Sequence, residues 1–268
     1  MKIGVQLYSV RDEMAKDFEG TLKKVKEMGY ECVEFAGLFD KSAAEVKALC
    51  EKYDLDPISA HVSLDDMLGD DSVLQTYADI GCKFVAIPWM SEEYRPGHPG
   101  FEQNLPKLIA LAKRVKELGM FLAYHNHDVE FEKTDGEYVL DALYRLIPAD
   151  LLKAELDTCW VNVGGADPVA YLRKYAGRVD ILHFKDFAGR KSENMYALIG
   201  VNDGKKDDTV GNFEYRPLGQ GLQDMPAILK AAKESGTEWG IVEIDEPSAG
   251  KTSMQCIKES IDYLKTIM

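Results

Sequence analysis

A chain of 268 residues that is 46% hydrophobic and 10% aromatic can build one large core. Its 32 basic against 46 acidic side chains leave a net charge of −14, which repels phosphate backbones and anionic bilayers and argues against nucleic acid or a membrane as partner. No apolar run is long enough to span a membrane, and the opening MKIGVQLYSV enters a strand-like pattern at once, so a cytoplasmic protein is expected.

In chain order a strand pattern is followed eight times by a helical one. Strand Lys2–Ser9 precedes helix Phe18–Met28, Tyr30–Ala36 precedes Ala43–Tyr53, Pro57–Val62 precedes Val73–Ile80, and Lys83–Trp89 precedes Gln103–Leu118. Then Met120–His127 leads to Tyr138–Leu146, Leu151–Thr158 to Pro168–Tyr175, Val179–Phe187 to Met225–Glu234, and Glu238–Asp245 to Thr252–Ile267. Gly29, Gly81, Gly119 and Gly236 each stand where a helix should stop in a left-handed turn. Eight such units predict a single (β/α)8 TIM barrel over residues 1–268. The competing open doubly wound sheet would want a glycine-rich phosphate turn after its first strand, where Leu7-Tyr-Ser-Val-Arg-Asp12 has no glycine.

Two connections are longer than packing needs. Asp135-Gly136 suggests a small hairpin after the fifth strand. Residues 188–224 form a long loop expected over the active-site face, polar at Gly204-Lys-Lys-Asp-Asp208 yet carrying Tyr196, Phe213 and Tyr215. Cys32, Cys50, Cys82, Cys159 and Cys256 are odd in number and scattered without a CxxC pair, which reads as reduced thiols acting as small hydrophobes.

The chemistry lies at the strand ends. Glu155 and Asp157, then His183 and Lys185, then Glu243 and Asp245 each follow a short apolar run. Side chains alternate along a strand, so each pair shares one face, and that face looks into the barrel mouth. Desolvating such groups is costly unless they bind a metal, react, or form a buried ion-pair network such as Lys185 with Asp157. His125 and His127 end the fifth strand and His61 the third, while Trp89 and Trp160 supply aromatic walls suited to a sugar or polyol.

The segments YHNHDVEF, ELDTCWVNVGGADP, LHFKDF and IVEIDEP resemble the sugar phosphate isomerase/epimerase family with its xylose-isomerase-like barrel, and the resemblance runs through nearly the whole chain. That family includes ketose 3-epimerases, hydroxypyruvate isomerase, inosose dehydratase and dehydroshikimate dehydratase, with endonuclease IV more distant. The resemblance implies a divalent metal on Asp157, His183 and Glu243, with His125 where relatives have glutamate. A site with two imidazoles suits manganese, zinc, cobalt or iron better than magnesium. It also implies isomerase or epimerase chemistry on a sugar- or polyol-derived ketone through an enediolate, or else dehydration of a keto-sugar or keto-inositol. Glu243, Glu155 and Lys185 are the expected acid–base groups, with Glu155 either a replacement base or a structural anchor beneath the metal and His127 the other candidate for that base, and His61, Trp89, His127, Trp160 and Arg216 are the substrate contacts. A non-catalytic sugar-binding barrel and an endonuclease are the weaker alternatives, and homo-oligomerisation is left open.

Overall fold

A computed structural model describes residues 1–191 and 212–268. Eight parallel strands close into a barrel: β1 (Lys2–Gln6), β2 (Cys32–Phe35), β3 (Asp56–His61), β4 (Phe84–Ile87), β5 (Phe121–His125), β6 (Leu152–Asp157), β7 (Ile181–Phe184) and β8 (Trp239–Val242). Consecutive strands pair throughout, and β8 returns to β1 with Val5 opposite Val242. The open sheet is thereby excluded. The strands are short and buried on both faces, which is why they read as apolar runs rather than as alternating patterns.

The four predicted helix-stop glycines all have positive φ, between 80° and 103°. After each one the chain closes the same turn. Tyr30, Cys82, Met120 and Thr237 each donate a backbone N–H to the carbonyl five residues earlier, on Val25, Tyr77, Val115 and Ala232. Each next strand therefore starts from a fixed point, and its side-chain alternation is set.

The strands are shorter than the apolar pattern suggested, because side chains at their ends cap the turns that follow. Gln6 accepts from the Tyr8 N–H and starts a 3-10 turn over Leu7–Val10. Asp157 accepts from the N–H groups of Cys159 and Trp160 and starts a short helix, Thr158–Val163, which takes the last residue of the expected strand and fills the connection after it. The expected hairpin is present: Lys133–Thr134 pairs with Glu137–Tyr138 around Asp135 and Gly136, both at positive φ.

The register slips between β2 and β3, where Val33 faces Pro57 but Glu34 faces Ser59. This bulge at Ile58 puts Ser59 and His61 on the same inward face as Glu34. The lower interior of the barrel is apolar, with Ile58, Phe84, Ile181 and Ile241 packed together. At Gly4 an added Cβ would stand 2.6 Å from Cys32 Sγ and 2.8 Å from Ile241 Cδ1, so only glycine leaves β1 close enough to its neighbours.

Of the long connection at 188–224, residues 192–211, including Tyr196 and Gly204–Asp208, lie outside the described residues. Its flanks form a small antiparallel pair, Asp186–Ala188 with Glu214–Arg216. Both oxygens of Asp186 are engaged, accepting N–H groups from Phe187, Gly219, Gly221 and Gln223. The loop is thus anchored next to Lys185.

Candidate metal centre

His125, Asp157, His183 and Glu243, at or near the carboxyl ends of the barrel strands, bring donor atoms to within 4.8 Å of one another. They end β5 and β6, lie in β7, and follow β8, and all four are buried. His183 Nδ1 is 3.0 Å from Glu243 Oε2, and His125 Nε2 is 3.7 Å from Asp157 Oδ2. Donors of a tetrahedral ion with bonds of about 2.0–2.1 Å stand about 3.3 Å apart, so these separations bracket what an ion needs. Asp157 divides its work between its two oxygens. Oδ1 caps the following helix, while Oδ2 is buried without a hydrogen-bond donor among the described residues. A buried, orphaned carboxylate oxygen facing two imidazoles fits a divalent cation, and the mixed N/O donor set fits zinc, manganese, cobalt or iron.

Asn126 fixes the approach of β5 to β6. Its side-chain carbonyl accepts from the Asp157 N–H at 3.0 Å and its amide donates to the Asp157 carbonyl at 3.3 Å, continuing the ladder past the end of β5. The ligand-bearing ends of the two strands therefore move as one.

Lys185 Nζ lies 2.8 Å from Glu243 Oε2, 2.6 Å from Asp245 Oδ2 and 3.5 Å from Asp157 Oδ2. Burial pulls the ammonium pKa down, but these three carboxylates outweigh it and hold the group well above its ordinary value. For His183 burial is likewise overcome by Glu34, Glu243 and Glu155, so the metal-free ring is held as imidazolium. Glu243 is pulled well below the usual carboxyl range against burial, by Lys185 and His183. Burial and the charge of Glu243 lift Asp157 to about 6 although Lys185 opposes them. His125 and His127 go the other way: burial, helped by the charge of His183 for one and Lys185 for the other, keeps both rings neutral. A neutral His125 already has a lone pair to offer, whereas His183 must shed a proton first.

Above this centre opens a cavity of about 330 Å³. His61, Trp89, His127, Lys185, Glu243 and Asp245 are in its wall, with Tyr8 at the rim of β1. His127 is held edge-on to Trp89 and tilted on Trp160, with ring centroids 5.1 Å away in both cases.

The closed eight-stranded barrel is the fold of a known family, whose sequence model matches residues 22–267 and is described as a xylose isomerase-like TIM barrel. The chain belongs to that family. Among curated proteins it is 27% identical to the inosose dehydratase of Geobacillus kaustophilus, over 91% of this chain and 86% of that one. Among solved structures, a sugar phosphate isomerase/epimerase from Parabacteroides distasonis superposes with a TM-score of 0.74 at 20% identity, covering 98% of this chain and 93% of that one. An IOLI protein with a bound zinc atom superposes with a TM-score of 0.69 at 15% identity, covering 100% and 98%. At such identities the structural likeness speaks for the fold alone.

In the family barrel the predicted residues divide into three groups. His125, Asp157, His183 and Glu243 converge as expected. His61, Trp89, His127 and Lys185 reach the cavity. Glu155, Trp160 and Arg216 do not line it, which corrects the direct roles expected of them. Glu155 is one step deeper in β6 and packs under the imidazoles, with His61 Nε2 2.6 Å away. Trp160 is turned back into the shell by the helix that Asp157 caps, and stands behind His127 and Lys185. Arg216 pairs with Glu214 at 2.7 Å in the loop hairpin.

Two buried carboxylates escaped sequence reading. Glu34, in Cys32-Val-Glu34-Phe, bonds His183 Nε2 at 2.8 Å, and a lone charge inside an apolar strand was the available signal. Glu130 accepts from Tyr124 Oη and the His127 N–H, both at 2.7 Å, and burial lifts it to about 7. Its position in a 3-10 turn, Val129–Phe131, has no periodic signature.

Proposed function

We propose that this chain is a divalent-metal-dependent enzyme that removes the proton next to the carbonyl of a sugar- or polyol-derived ketone, and that loss of a β-hydroxyl follows. The observation that carries it is the buried His125–Asp157–His183–Glu243 set beneath a cavity walled by Trp89, His127 and Lys185. Bound there, the ion would act as a Lewis acid on the ketone and its neighbouring hydroxyl. His127, neutral and clamped between two indoles, is the base on the β5 side. Lys185, held protonated on the β7 side, is the acid for the departing hydroxyl. Glu243 already serves Lys185 and His183, which leaves it a weaker base than its place on the cavity wall suggests.

Dehydration is favoured over reprotonation by the curated inosose dehydratase relative and by an acid and a base on different strands. Isomerisation or epimerisation is the second reading, because the same metal site and base would form the same enediolate and only its reprotonation would differ. A cavity near 330 Å³ suits a single six-carbon ring or chain. We further read the whole chain as one domain in the reducing cytoplasm, on its five buried, unpaired thiols. No helix among the described residues is long and apolar enough to cross a membrane.

The decisive experiment incubates manganese-, cobalt- or zinc-loaded protein in D2O with a keto-inositol and a panel of ketohexoses. Dehydration gives an unsaturated ketone with new ultraviolet absorbance. Epimerisation gives one deuterium at the inverted carbon and no such absorbance. Turnover that survives complete chelation would refute the metal-dependent reading.

A further inference from the structure

Below the four metal-facing residues lies a second polar layer with no role so far. Glu34 Oε1 takes the Nε2 side of His183 at 2.8 Å, while Nδ1 of the same ring faces Glu243 at 3.0 Å. Glu155 Oε2 lies 3.4 Å from His125 Nδ1, while Nε2 of that ring is turned to Asp157. Each imidazole thus shows one nitrogen to the upper carboxylates and the other to a fully buried lower one. His61 ties the lower pair together, with Nε2 2.6 Å from Glu155 and 3.2 Å from Glu34, and its ring stacks parallel on His183. Gln6 Nε2 donates to Glu34 at 2.6 Å, and Gln6 is itself held by the Tyr8 N–H.

We propose that Glu34 and Glu155 are paired positioning residues of the metal centre, Glu34 orienting His183 through a direct hydrogen bond and Glu155 acting through His61, which it holds against His183 and His125, with His125 Nδ1 itself 3.4 Å away and not hydrogen-bonded. The inference rests on the upper four residues being ligands. A ring nitrogen that donates to a carboxylate fixes the tautomer, leaves the other lone pair for the ion and makes it a better donor. His61, His125, Glu155 and His183 also bring donor atoms to within 4.8 Å of one another, but their layer is tied by direct hydrogen bonds of 2.6 Å from His61 to Glu155 and 2.8 Å from His183 to Glu34, whereas Asp157 Oδ2 above accepts none among the described residues. Of the two roles the sequence left open for Glu155, base or anchor beneath the metal, this is the anchor.

The test is cobalt(II) titration of the full chain and of its Glu34→Gln and Glu155→Gln variants, with the visible spectrum recorded and metal-free melting checked. One cobalt per chain is expected in the wild type. Each variant should bind it about 10–100-fold more weakly and with a shifted visible band. Affinities within twofold of wild type in both variants would overturn the proposal, and so would two cobalt ions per chain. A wild type that binds no cobalt would instead refute the metal centre itself. Should the variants not fold, zinc-loaded wild type decides by proton–nitrogen spectra. His183 should keep a hydrogen-bonded Nε2 proton, and its loss on metal binding overturns the inference.

Discussion

At the residue scale, the site consists of acids and bases that neutralise one another until an ion displaces a proton. Asp157 Oδ2 accepts no hydrogen bond among the described residues and has only the Lys185 ammonium, 3.5 Å away, and the His125 ring beside it, so Asp157→Asn should cost more metal affinity than the 10–100-fold typical of an outer partner, measured by titration with manganese or zinc. The same substitution keeps the oxygen that caps the following helix, and melting should change little. The pH dependence of the metal-free protein follows from the shifts. His183 and His61 have raised pKa values, His61 to about 9, because Glu34 and Glu155 outweigh burial. Their stabilising contribution is complete below the ordinary histidine value and is lost as pH rises through the raised one. Glu155 and Glu130, lifted by burial to about 7, act in the same direction, since the folded state prefers them protonated. Burial would raise Glu34, but His61 and His183 bring it to about 2, and its contribution is lost only in acid. His125 and His127, held neutral by burial, act the opposite way near the ordinary histidine value, but His183, His61, Glu155 and Glu130 together outweigh them. Chelator-treated protein should therefore melt higher at pH 6 than at pH 9, and a melting temperature that climbs over that window contradicts the assignment. Metal binding must release the proton of His183, so calorimetry in two buffers of different ionisation enthalpy should give different apparent enthalpies.

At the element scale, short capped turns after the strands aim the side chains. Asp186 gathers four N–H groups from both ends of the loop hairpin. A Cβ on Gly221 would overlap Asp186 Oδ1 and the Phe187 carbonyl. Gly221→Ala should therefore destabilise by about 1–3 kcal/mol through crowding and disturb Lys185 next door, lowering turnover as well as melting temperature. Gly69 is the control: it lies in the helix Leu64–Gly69 with nothing within 4 Å of an added methyl group, and Gly69→Ala should gain about 0.5 kcal/mol without touching activity. Similar losses in both variants would remove the loop anchor from the account. Sequence marked these elements unevenly. Helices ending at Gly29, Gly81, Gly119 and Gly236 were legible because a left-handed stop is a local requirement. The helices Leu64–Gly69 and Thr158–Val163 were not, because six residues are too few to show a period and their start depends on Ser63 and Asp157 as caps.

At the scale of the whole molecule, an apolar lower barrel supports a polar upper one. Gly4→Ala would push a methyl group against Cys32 and Ile241 in the lower layer, costing about 1–3 kcal/mol. Melting should fall by several degrees, yet metal stoichiometry should stay unchanged because on β8 the ligand Glu243 lies two residues beyond Ile241; a lost metal site would show that the two layers are not separable. By itself the sequence determined the barrel, through eight strand–helix repeats, and marked the strand ends that carry Asp157, His183 and Glu243, because a charge at the end of an apolar run is locally conspicuous, while only the family resemblance singled out those three from their neighbours. It could not determine depth along the barrel or phase around it. Glu155 and Asp157 look alike two residues apart, but one lies under the imidazoles and the other beside them. His61 came to face Glu34 only because β3 is out of step with β2 by one residue at a bulge. Those choices depend on how strands stagger when a sheet closes on itself, a relation between residues distant in the chain that no local pattern encodes.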